Sequence, residues 1–568
     1  MTNVLYLVDR KTYKSKMSRV RFHGIQALGK IATVVWSGPG WQEWDIALSC
    51  QENKLRLEHQ HKLIFDVVIG YKPLDMKDFA DLRCLKCIRY NEMYDHKWTL
   101  QEIKQSQADI VICHHHNDYL VYQKLLKSQI SQGLGLYHVA HCAEKTIFKN
   151  TTPLNKRPVD IVMSGAVSNH YPLRQKFMKA IPLLKDKGWT VYLHKHPGYT
   201  HGDAHTDKYQ KQLAKVYNTA KIALTCSGRP KSRFGKYVEI PACGTAVAGD
   251  LPNEDQAEMK KFVIQLDTSM SVDQIVQRLD KYLQNHQKLA NKVAAGLKWA
   301  SKYTQEHYAK RLLKCLQPHF KSNVSLLWYG EKISNNELLT LRSHLSVGHC
   351  VRLYHYNKIK NLPDTVQTHP YFNLVPGAQI LAEDEVFQYQ TGPGKGSFSA
   401  FSNVFRYKLL KQYGCWWADM DMVALKSFKS LEDKDYVFAQ EDNGHVASCA
   451  IFVKARDSVL MQQCLKHARK HTSTKQQQEN LRWGAIGPKL LQQEVIRCGL
   501  KQHIAARECF CPVQYKDAHR LTTATDSLDG KRIYGVHLWN EAWRRKGRDK
   551  NATYDSNTTY EQLKKRFL

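Results

Sequence analysis

The chain has 568 residues, of which 43% are hydrophobic, and it carries a formal net charge of +32. A chain of this length is too long for a single core, so two to four domains are expected. No apolar run reaches the ~18 residues that span a bilayer, and the N-terminus lacks the basic start of a signal peptide. The sequence therefore predicts a cytoplasmic protein whose membrane contact, if any, is peripheral.

The excess of Lys and Arg favours a polyanionic partner, such as a nucleic acid, an anionic membrane or an anionic glycan. These cations are spread along the chain, and no helix-turn-helix, zinc-finger or RNP-type motif is present. We therefore interpret the charge as a generally basic surface that suits nucleotide-diphosphate donors, and we do not expect specific nucleic-acid binding.

The 15 cysteines are an odd, scattered set, which predicts reduced thiols rather than a disulfide framework. Cys84 and Cys87 form a lone C-x-x-C pair, and Cys509 and Cys511 are closer together in sequence than zinc ligands usually are. We interpret both pairs as structural thiols.

Residues 1–150 alternate short apolar runs with polar stretches, a rhythm that predicts a doubly wound parallel sheet. The six predicted strands are Val4–Val8, Ile31–Trp36, Phe65–Ile69, Lys86–Tyr90, Asp109–Cys113 and Leu134–Val139.

Residues 151–320 repeat this rhythm and then continue as long helical patterns between Ser271 and Leu316. Two successive Rossmann-like halves of this size suggest a GT-B-type transferase, which binds its donor in the cleft between the halves. The predicted strands of the second half are Val159–Met163, Trp189–Leu193, Lys221–Thr225 and Thr245–Ala248.

A segment in the second half, Lys236–Pro252, places Glu239 on a helix that ends at a Cys-Gly turn and leads at once into a strand. It is similar to the donor-binding segment of GT-B transferases of the group-one kind. That resemblance implies that Glu239 binds the nucleotide ribose, and that Gly244 and Thr245 form the donor loop.

The same half offers cations and a Gly turn for a donor diphosphate. Lys195 follows a predicted strand, Arg233 and Lys236 lie in a basic Gly-containing loop, and Gly165 follows the first strand of this half. The alternative interpretations are that Glu239 is merely a surface carboxylate and that the basic loop is a solvated turn. The Glu-x7-Glu pattern of group-one transferases is also incomplete, which leaves the chemistry of this half open.

Residues 397–425 read as a helix, a Gly stop and an apolar strand that ends in two carboxylates, Asp419 and Asp421. Strand alternation would put both carboxylates on one side, where they can hold a hard divalent cation that neutralises a diphosphate. The alternative is a carboxylate pair that caps the strand. A second D-x-D, Asp433-Lys-Asp435, lies among charged residues and is interpreted as a solvated loop.

This block resembles the D-x-D region of a retaining glycosyltransferase group that contains initiating mannosyltransferases, α-1,4-galactosyltransferases and capsular-polysaccharide transferases. The resemblance covers about residues 323–545, although the usual Gly-Gly before the aromatic is Gly414-Cys415 here. The other matching segments, in the family's order, are Ser325–Gly330, Gly348–Tyr354, Trp483–Leu490 and Val536–Asn540.

The resemblance implies a bound Mn²⁺ or Mg²⁺ that bridges Asp421 and the donor diphosphate, with Asp419 orienting the ribose or sugar and His537 as a further ligand. It also implies retention at the anomeric carbon. The donor-binding candidates are Trp328, Ser399, Asn403, Arg406 and Tyr407. The acceptor candidates are Trp417, Trp539 and Asn540. The alternative for the two tryptophans is that they pack in the core.

The sequence thus predicts an α/β protein with a GT-B-like pair of Rossmann-like domains, residues 1–150 and 151–320, followed by a GT-A-like D-x-D domain, residues 321–568. The leading hypothesis is a bifunctional glycosyltransferase that uses UDP- or GDP-sugars and a glycan, glycoprotein or lipid-linked acceptor. A second hypothesis keeps only the C-terminal domain catalytic, with residues 1–320 as a glycan- or partner-binding domain. A third is a basic protein that binds nucleic acid or a membrane surface.

Overall fold

The computed structural model describes residues 2–15, 20–195, 207–441 and 444–568. The chain divides into two compact units. The first comprises Met1–Cys50, Val67–Ala80 and Leu85–His319, and the second comprises Gln51–Asp66, Asp81–Cys84 and Phe320–Leu568. No helix in the described ranges is both long enough and apolar enough to cross a bilayer.

The first unit contains two parallel sheets, which confirms the predicted α/β class with parallel sheets. The first sheet has the order β2-β1-β3-β4-β5-β6, and the second has the order β11-β10-β9-β7-β8. The strands are β1 (Asn3–Leu7), β2 (Thr33–Ser37), β3 (Val67–Gly70), β4 (Lys86–Tyr90), β5 (Ile110–Cys113), β6 (Gly135–His138), β7 (Val159–Ser164), β8 (Val191–His194), β9 (Ala220–Leu224), β10 (Ala246–Gly249) and β11 (Ile264–Gln265).

In both sheets the first strand lies between the second and the third, so the chain reverses direction across the sheet beside β1 and beside β7. Such switch points create crevices at the carboxyl ends of the strands. The helices up to residue 316 are α1 (Arg10–Ser15), α2 (Val20–Leu28), α3 (Cys50–His61), α4 (His96–Ser106), α5 (His116–Leu125), α6 (Lys127–Ser131), α7 (Pro172–Asp186), α8 (Lys208–Thr219), α9 (Lys236–Ala242), α10 (Gln256–Phe262), α11 (Val272–Gln284), α12 (His286–Ala300) and α13 (Gln305–Leu316).

Helix α11 shows how local sequence sets these elements. Ser271 and Gln274 form a reciprocal capping box at its start, and Ile275, Leu279 and Leu283 form a buried stripe at i, i+4, i+8. The stripe joins the apolar cluster beside the second sheet. This agrees with the helical pattern predicted from Ser271 onward.

The second unit is built on a mixed sheet with the order β14-β13-β12-β15-β18-β17, and a small antiparallel pair, β16-β19, lies apart from it. β15 runs parallel to β12 but antiparallel to β18. The strands are β12 (Asn323–Trp328), β13 (Cys350–His355), β14 (Phe372–Pro376), β15 (Trp416–Ala418), β16 (Met422–Ala424), β17 (Tyr436–Gln440), β18 (Val446–Val453) and β19 (Gly535–His537).

Helix α16 of the second unit confirms the predicted helix and its Gly stop. Phe401, Phe405 and Leu409 are fully buried, whereas Phe398 precedes the helix. Gly414 adopts φ +61°, and a side chain there would meet the backbone of Ala455 at 2.9 Å. The helices are α14 (Asn335–Ser346), α15 (Asp364–Gln367), α16 (Ser399–Tyr413), α17 (Val459–Lys470), α18 (Lys475–Glu479), α19 (Pro488–Arg497), α20 (Asn540–Arg545) and α21 (Thr559–Phe567).

Residues 51–66 and 81–84 belong to the second unit, whereas the predicted domain boundaries put them in the first. On α3, Glu58 forms a buried ion pair with Arg352 of β13, and Lys54 lies 3.2 Å from Glu58. Gln51 donates a 2.9 Å hydrogen bond to Asn373 of β14. Arg352 and Asn373 are buried polar groups on strands and need partners, which this helix supplies from a distant part of the sequence.

Candidate functional site

A cavity of about 1290 Å³ opens in the second unit, where β12 and β15 end at Trp328 and Ala418. Its walls come from α16, the segment before α19, and the start of α20. Ligands of open α/β sheets bind at the carboxyl ends of strands. The predicted residues that line it are Trp328, Ser399, Asn403, Arg406, Trp417, Asp419, Asp421, His537, Trp539 and Asn540.

Asp419 and Asp421 converge through a turn and not through strand alternation, which corrects the predicted cause. β15 ends at Ala418, and the Met422 N–H donates to the Asp419 carbonyl at 2.9 Å. The carboxylates still face one place, because one oxygen of each and a ring nitrogen of His537 lie within 4.8 Å of one another.

The side chain of Asp419 is fixed from two sides. The Trp417 indole N–H donates to Oδ1 at 2.8 Å, and the Arg406 guanidinium lies 3.0 Å from the same oxygen and over the Trp417 ring at 4.8 Å. Burial raises the pKa of Asp419 by more than Arg406 lowers it, and the charge of Asp421 raises it further.

Asp421 is held in its ionised form. The Asn540 N–H donates to Oδ2 at 2.6 Å, and Nε2 of His537 lies 3.3 Å from Oδ1. Burial alone would raise the pKa of Asp421, but the His537 imidazole and the Asn540 N–H outweigh it and lower the pKa. The two carboxyls, one residue apart, are thus driven in opposite directions.

Helix α14 supports this arrangement through a buried carboxylate that sequence reasoning did not identify. Glu337 accepts a 2.8 Å hydrogen bond from the Asn540 side chain and lies 2.8 Å from Lys550 Nζ. The pattern Ser334-x-x-Glu337 forms a capping box, which predicts a helix start. It does not reveal that the second oxygen of Glu337 holds the segment that binds Asp421.

The strand after the carboxylate turn is anchored by two buried histidines. His344 Nε2 lies 3.0 Å from the Met422 carbonyl, and its Nδ1 lies 2.8 Å from His349 Nδ1. His349 Nε2 accepts the Phe428 N–H at 3.0 Å, so His349 donates through Nδ1 and His344 donates through Nε2. Burial lowers the pKa of His344 to about 4, which keeps this chain of hydrogen bonds neutral.

Trp328 Nε1 and Asn403 Oδ1 are among the buried polar atoms at the cavity that have no hydrogen-bond partner within the described ranges. A ligand with a complementary acceptor and donor would satisfy them. Tyr407 does not line the cavity, because it is fully buried and its hydroxyl donates to the Ile486 carbonyl at 3.1 Å.

The three acceptor candidates line the cavity, but their polar atoms are already engaged. Trp417 is fully buried and bonds Asp419, and the Trp539 indole N–H donates to the Val513 carbonyl at 2.9 Å. Asn540 bonds Asp421 and Glu337. Trp417 and the backbone of Asn540 therefore position the carboxylates, whereas the Trp539 ring packs 3.9 Å from the His537 ring.

In the first unit, three of the predicted donor residues come together at the carboxyl end of β7. Lys236 Nζ donates to Ser164 Oγ at 2.9 Å. Gly165 has φ +107°, and a Cβ there would lie 2.7 Å from Arg174 Nη1 and 3.3 Å from Lys236. Burial lowers the pKa of Lys236 to about 8, while nearby Glu239 opposes that shift.

The other predicted residues of this half lie elsewhere. Lys195 is exposed just after β8. Arg233 is buried 2.8 Å from Glu254 and packs over Tyr303, so it is not available to a phosphate. Thr245 is buried against Arg157 at 2.6 Å, and Gly244 packs on Asn150.

No protein-family model matches the sequence, and no curated protein matches it. Solved structures with a similar fold cover 56% of this chain, over its N-terminal part. They include sucrose-phosphate synthase from Thermosynechococcus elongatus (10% identity, 99% of that chain, TM-score 0.38) and HepE from Anabaena in complex with UDP and glucose (10% identity, 100% of that chain, TM-score 0.35). A glycosyltransferase from Rickettsia africae is similar at 13% identity, with 98% of that chain covered and a TM-score of 0.37. Likenesses at this level leave the function to be argued from the residues of this chain.

Proposed function

We propose that the second unit is a GT-A-like glycosyltransferase, which transfers a sugar from a nucleotide-sugar donor to a glycan acceptor with the help of a divalent cation. One observation carries the proposal: Asp419, Asp421 and His537 converge within 4.8 Å at a cavity of about 1290 Å³. The order of motifs that resemble D-x-D glycosyltransferases supports the same assignment.

The donor atoms fit the proposed cation. Carboxylate oxygens suit Mg²⁺ and Mn²⁺, and an imidazole nitrogen is tolerated better by Mn²⁺. The lowered pKa of Asp421 keeps one carboxylate charged at neutral pH. When bound, the cation would neutralise the diphosphate and stabilise the leaving nucleoside diphosphate.

The chain's own groups would hold the rest of the donor. Asp419, fixed by Trp417 and Arg406, presents its second oxygen to ribose or sugar hydroxyls. The unpartnered atoms of Trp328 and Asn403 supply one donor and one acceptor for the nucleotide or the sugar. Retention at the anomeric carbon is proposed from the sequence resemblance.

The first test is donor hydrolysis by the full chain with a panel of UDP- and GDP-sugars, in Mn²⁺, in Mg²⁺ and in EDTA. We expect turnover of one or a few donors that depends on the cation. The full chain is required, because residues 51–66 complete the second unit and a fragment that begins at residue 321 would lack them. Absence of cation-dependent turnover with every donor and with added glycans would contradict the proposal.

The cavity is larger than the ~300–1,000 Å³ of a typical ligand site, so a donor leaves room for an acceptor. At its edge, Arg482 and Lys489 are exposed and have no ionic partner among the described residues. Between them, Trp483 is 36% exposed and packs against Arg545 at 4.9 Å. An aromatic face flanked by cations favours an acceptor that carries a sugar ring and an acidic group.

Replacing Arg482 and Lys489 together with Ala should raise the acceptor KM about tenfold, the effect of roughly 1.4 kcal/mol of lost binding. The donor KM should change little, because neither side chain contacts the carboxylate turn. Steady-state kinetics with each substrate varied in turn would separate the two constants. Lys466→Ala with Lys475→Ala, two exposed lysines outside the cavity, is the matched control. An unchanged acceptor KM would contradict this role.

A second donor site in the first unit would make the chain bifunctional, with a GT-B-like module ahead of the D-x-D module. The specific observation in its favour is the cluster of Lys236, Glu239 and Gly165 at the end of β7. Cation-independent turnover of a donor that is lost in Lys236→Ala would support it. If that turnover is absent, residues 1–320 serve the alternative role of a glycan- or partner-binding module.

A further inference from the structure

Two buried thiols lie directly behind the carboxylate turn. The carbonyl oxygen of Cys449, on β18, accepts a 2.9 Å hydrogen bond from the Asp419 N–H. Its sulfur lies 3.8 Å from that of Cys511, and the two residues are 2% and 1% exposed. A ring nitrogen of His537 lies within 4.8 Å of both sulfurs. The two thiols and His537 therefore form a second possible metal-binding group, which shares this histidine with the carboxylate group.

The two ring nitrogens of His537 have different surroundings. Nε2 lies 3.3 Å from the Asp421 carboxylate, whereas Nδ1 is buried and makes no hydrogen bond of normal geometry in the described part of the chain, although the ring interacts with the Cys449 thiol. His537 is 9% exposed, so solvent does not satisfy that nitrogen. An unsatisfied buried nitrogen is costly. Because Nε2 already faces Asp421, we assign Nδ1 as the ring nitrogen that approaches the two thiols.

The spacing of the sulfurs fits a tetrahedral thiophilic cation. Two Zn–S bonds of about 2.3 Å at the tetrahedral angle place the sulfurs about 3.8 Å apart, and the observed separation is 3.8 Å. We propose that Cys449, Cys511 and Nδ1 of His537 bind a thiophilic divalent cation, most naturally Zn²⁺, at a site distinct from the carboxylate site.

Binding would release the two thiol protons and any proton on Nδ1 of His537, so that two thiolates, a neutral imidazole and one Zn²⁺ form a neutral group. Neutrality matters here because the thiols lie in an apolar cluster that includes Trp416 and Phe510. Of the 15 cysteines, the described residues bring only this pair together with a histidine in a possible metal-binding group.

The site would also orient Asp421. A histidine that binds a metal through one nitrogen commonly donates the other N–H to a carboxylate, which fixes its tautomer. With Zn²⁺ on Nδ1, His537 would carry its proton on Nε2 and donate it to Asp421. His537 would then not be a ligand of the cation of the proposed transferase, which would be held by the two carboxylates and the donor. The thiol site itself does not depend on that function.

The experiment is Co²⁺ titration of the full, reduced, metal-free chain, followed by absorption spectroscopy. We expect one equivalent of Co²⁺ to produce the near-ultraviolet band of thiolate-to-cobalt charge transfer and the intense visible bands of tetrahedral Co²⁺. Added Zn²⁺ should abolish both, and Mg²⁺ should abolish neither.

Variants assign the bands to residues. Cys449→Ser, Cys511→Ser and His537→Ala should each lose or shift the bands, and circular dichroism verifies that each variant is folded. Asp419→Ala with Asp421→Ala should retain them, because it removes only the carboxylate site. Cys464→Ala, a buried cysteine outside this cluster, should also retain them.

Three results would overturn the proposal. One is the absence of a thiolate band from the unsubstituted chain. Another is a band that persists unchanged in folded Cys449→Ser and Cys511→Ser. The third is mass-spectrometric evidence that the protein, isolated without reductant, holds these sulfurs as a disulfide in place of a metal.

Discussion

Replacing both turn carboxylates, Asp419→Ala with Asp421→Ala, is expected to lower cation-dependent donor turnover by at least about a thousandfold. Removing one charge-stabilising group from an active site already lowers kcat by about a hundred- to a thousandfold. The two oxygens that converge with His537 are lost together, so the cation and the diphosphate would have no anchor. Turnover in Mn²⁺, corrected for turnover in EDTA, isolates this activity from any cation-independent activity of the first unit.

The chain contains its own control for that experiment. Asp433 and Asp435 form a second D-x-D among charged residues, and Asp435 is an exposed side chain 3.9 Å from Lys454. Asp433→Ala with Asp435→Ala should therefore keep full activity. If the Asp419/Asp421 variant also keeps full cation-dependent turnover, the proposed role of the carboxylate turn is wrong.

Glu58→Ala is expected to destabilise the second unit by roughly 3–5 kcal/mol, the usual cost of removing one partner of a buried ion pair. The reason is that Arg352, which is 2% exposed, would keep a buried charge without its carboxylate. Chemical denaturation of the full chain, followed by tryptophan fluorescence, measures the loss as a shift of the transition that the substitution affects. Glu331→Ala, which breaks the exposed pair with Lys360, should leave that transition unchanged and serves as the control.

The same ion pair predicts a pH dependence. Burial alone would raise the pKa of Glu58, but Arg352 and Lys54 outweigh it and lower the pKa. A lowered carboxyl pKa adds stability that is fully present above the unfolded-state value of about 4.3 and disappears as the pH falls through the folded-state value. The stability difference between the unsubstituted chain and Glu58→Gln should therefore narrow in acid. A constant difference from pH 7 to pH 3 would contradict this assignment.

Much of the fold was predictable because it depends on local patterns. All ten strands predicted in residues 1–320 are present, and β11, with only two residues, was missed. The stop of α16 at Gly414 was predicted because a positive φ favours glycine at that position. The position of α3 was not predicted, because its apolar spacing is the same whether it packs on one unit or on the other.

The candidate site was predictable where chemistry repeats at short spacing, as in Asp419 and Asp421. Glu337, Lys550 and Cys449 were missed because they reach the site from α14, from the segment after α20 and from β18. Tyr407 and Arg233 were placed wrongly for a related reason. Helical spacing puts Tyr407 beside the ligand face, but it does not show which side of that face the core covers. Loop composition likewise does not reveal that Arg233 pairs with Glu254.

The discontinuous make-up of the second unit has a consequence for synthesis. Glu58 leaves the ribosome on the order of 300 residues before Arg352, which at about 5–20 residues per second corresponds to roughly 15–60 s. During that interval α3 is attached to a chain whose first unit can already fold, while its own partner strands β13 and β14 do not yet exist. The helix must therefore remain undocked until β13 and β14 emerge. Folding of the second unit is then a late step of synthesis that depends on contacts between distant parts of the sequence.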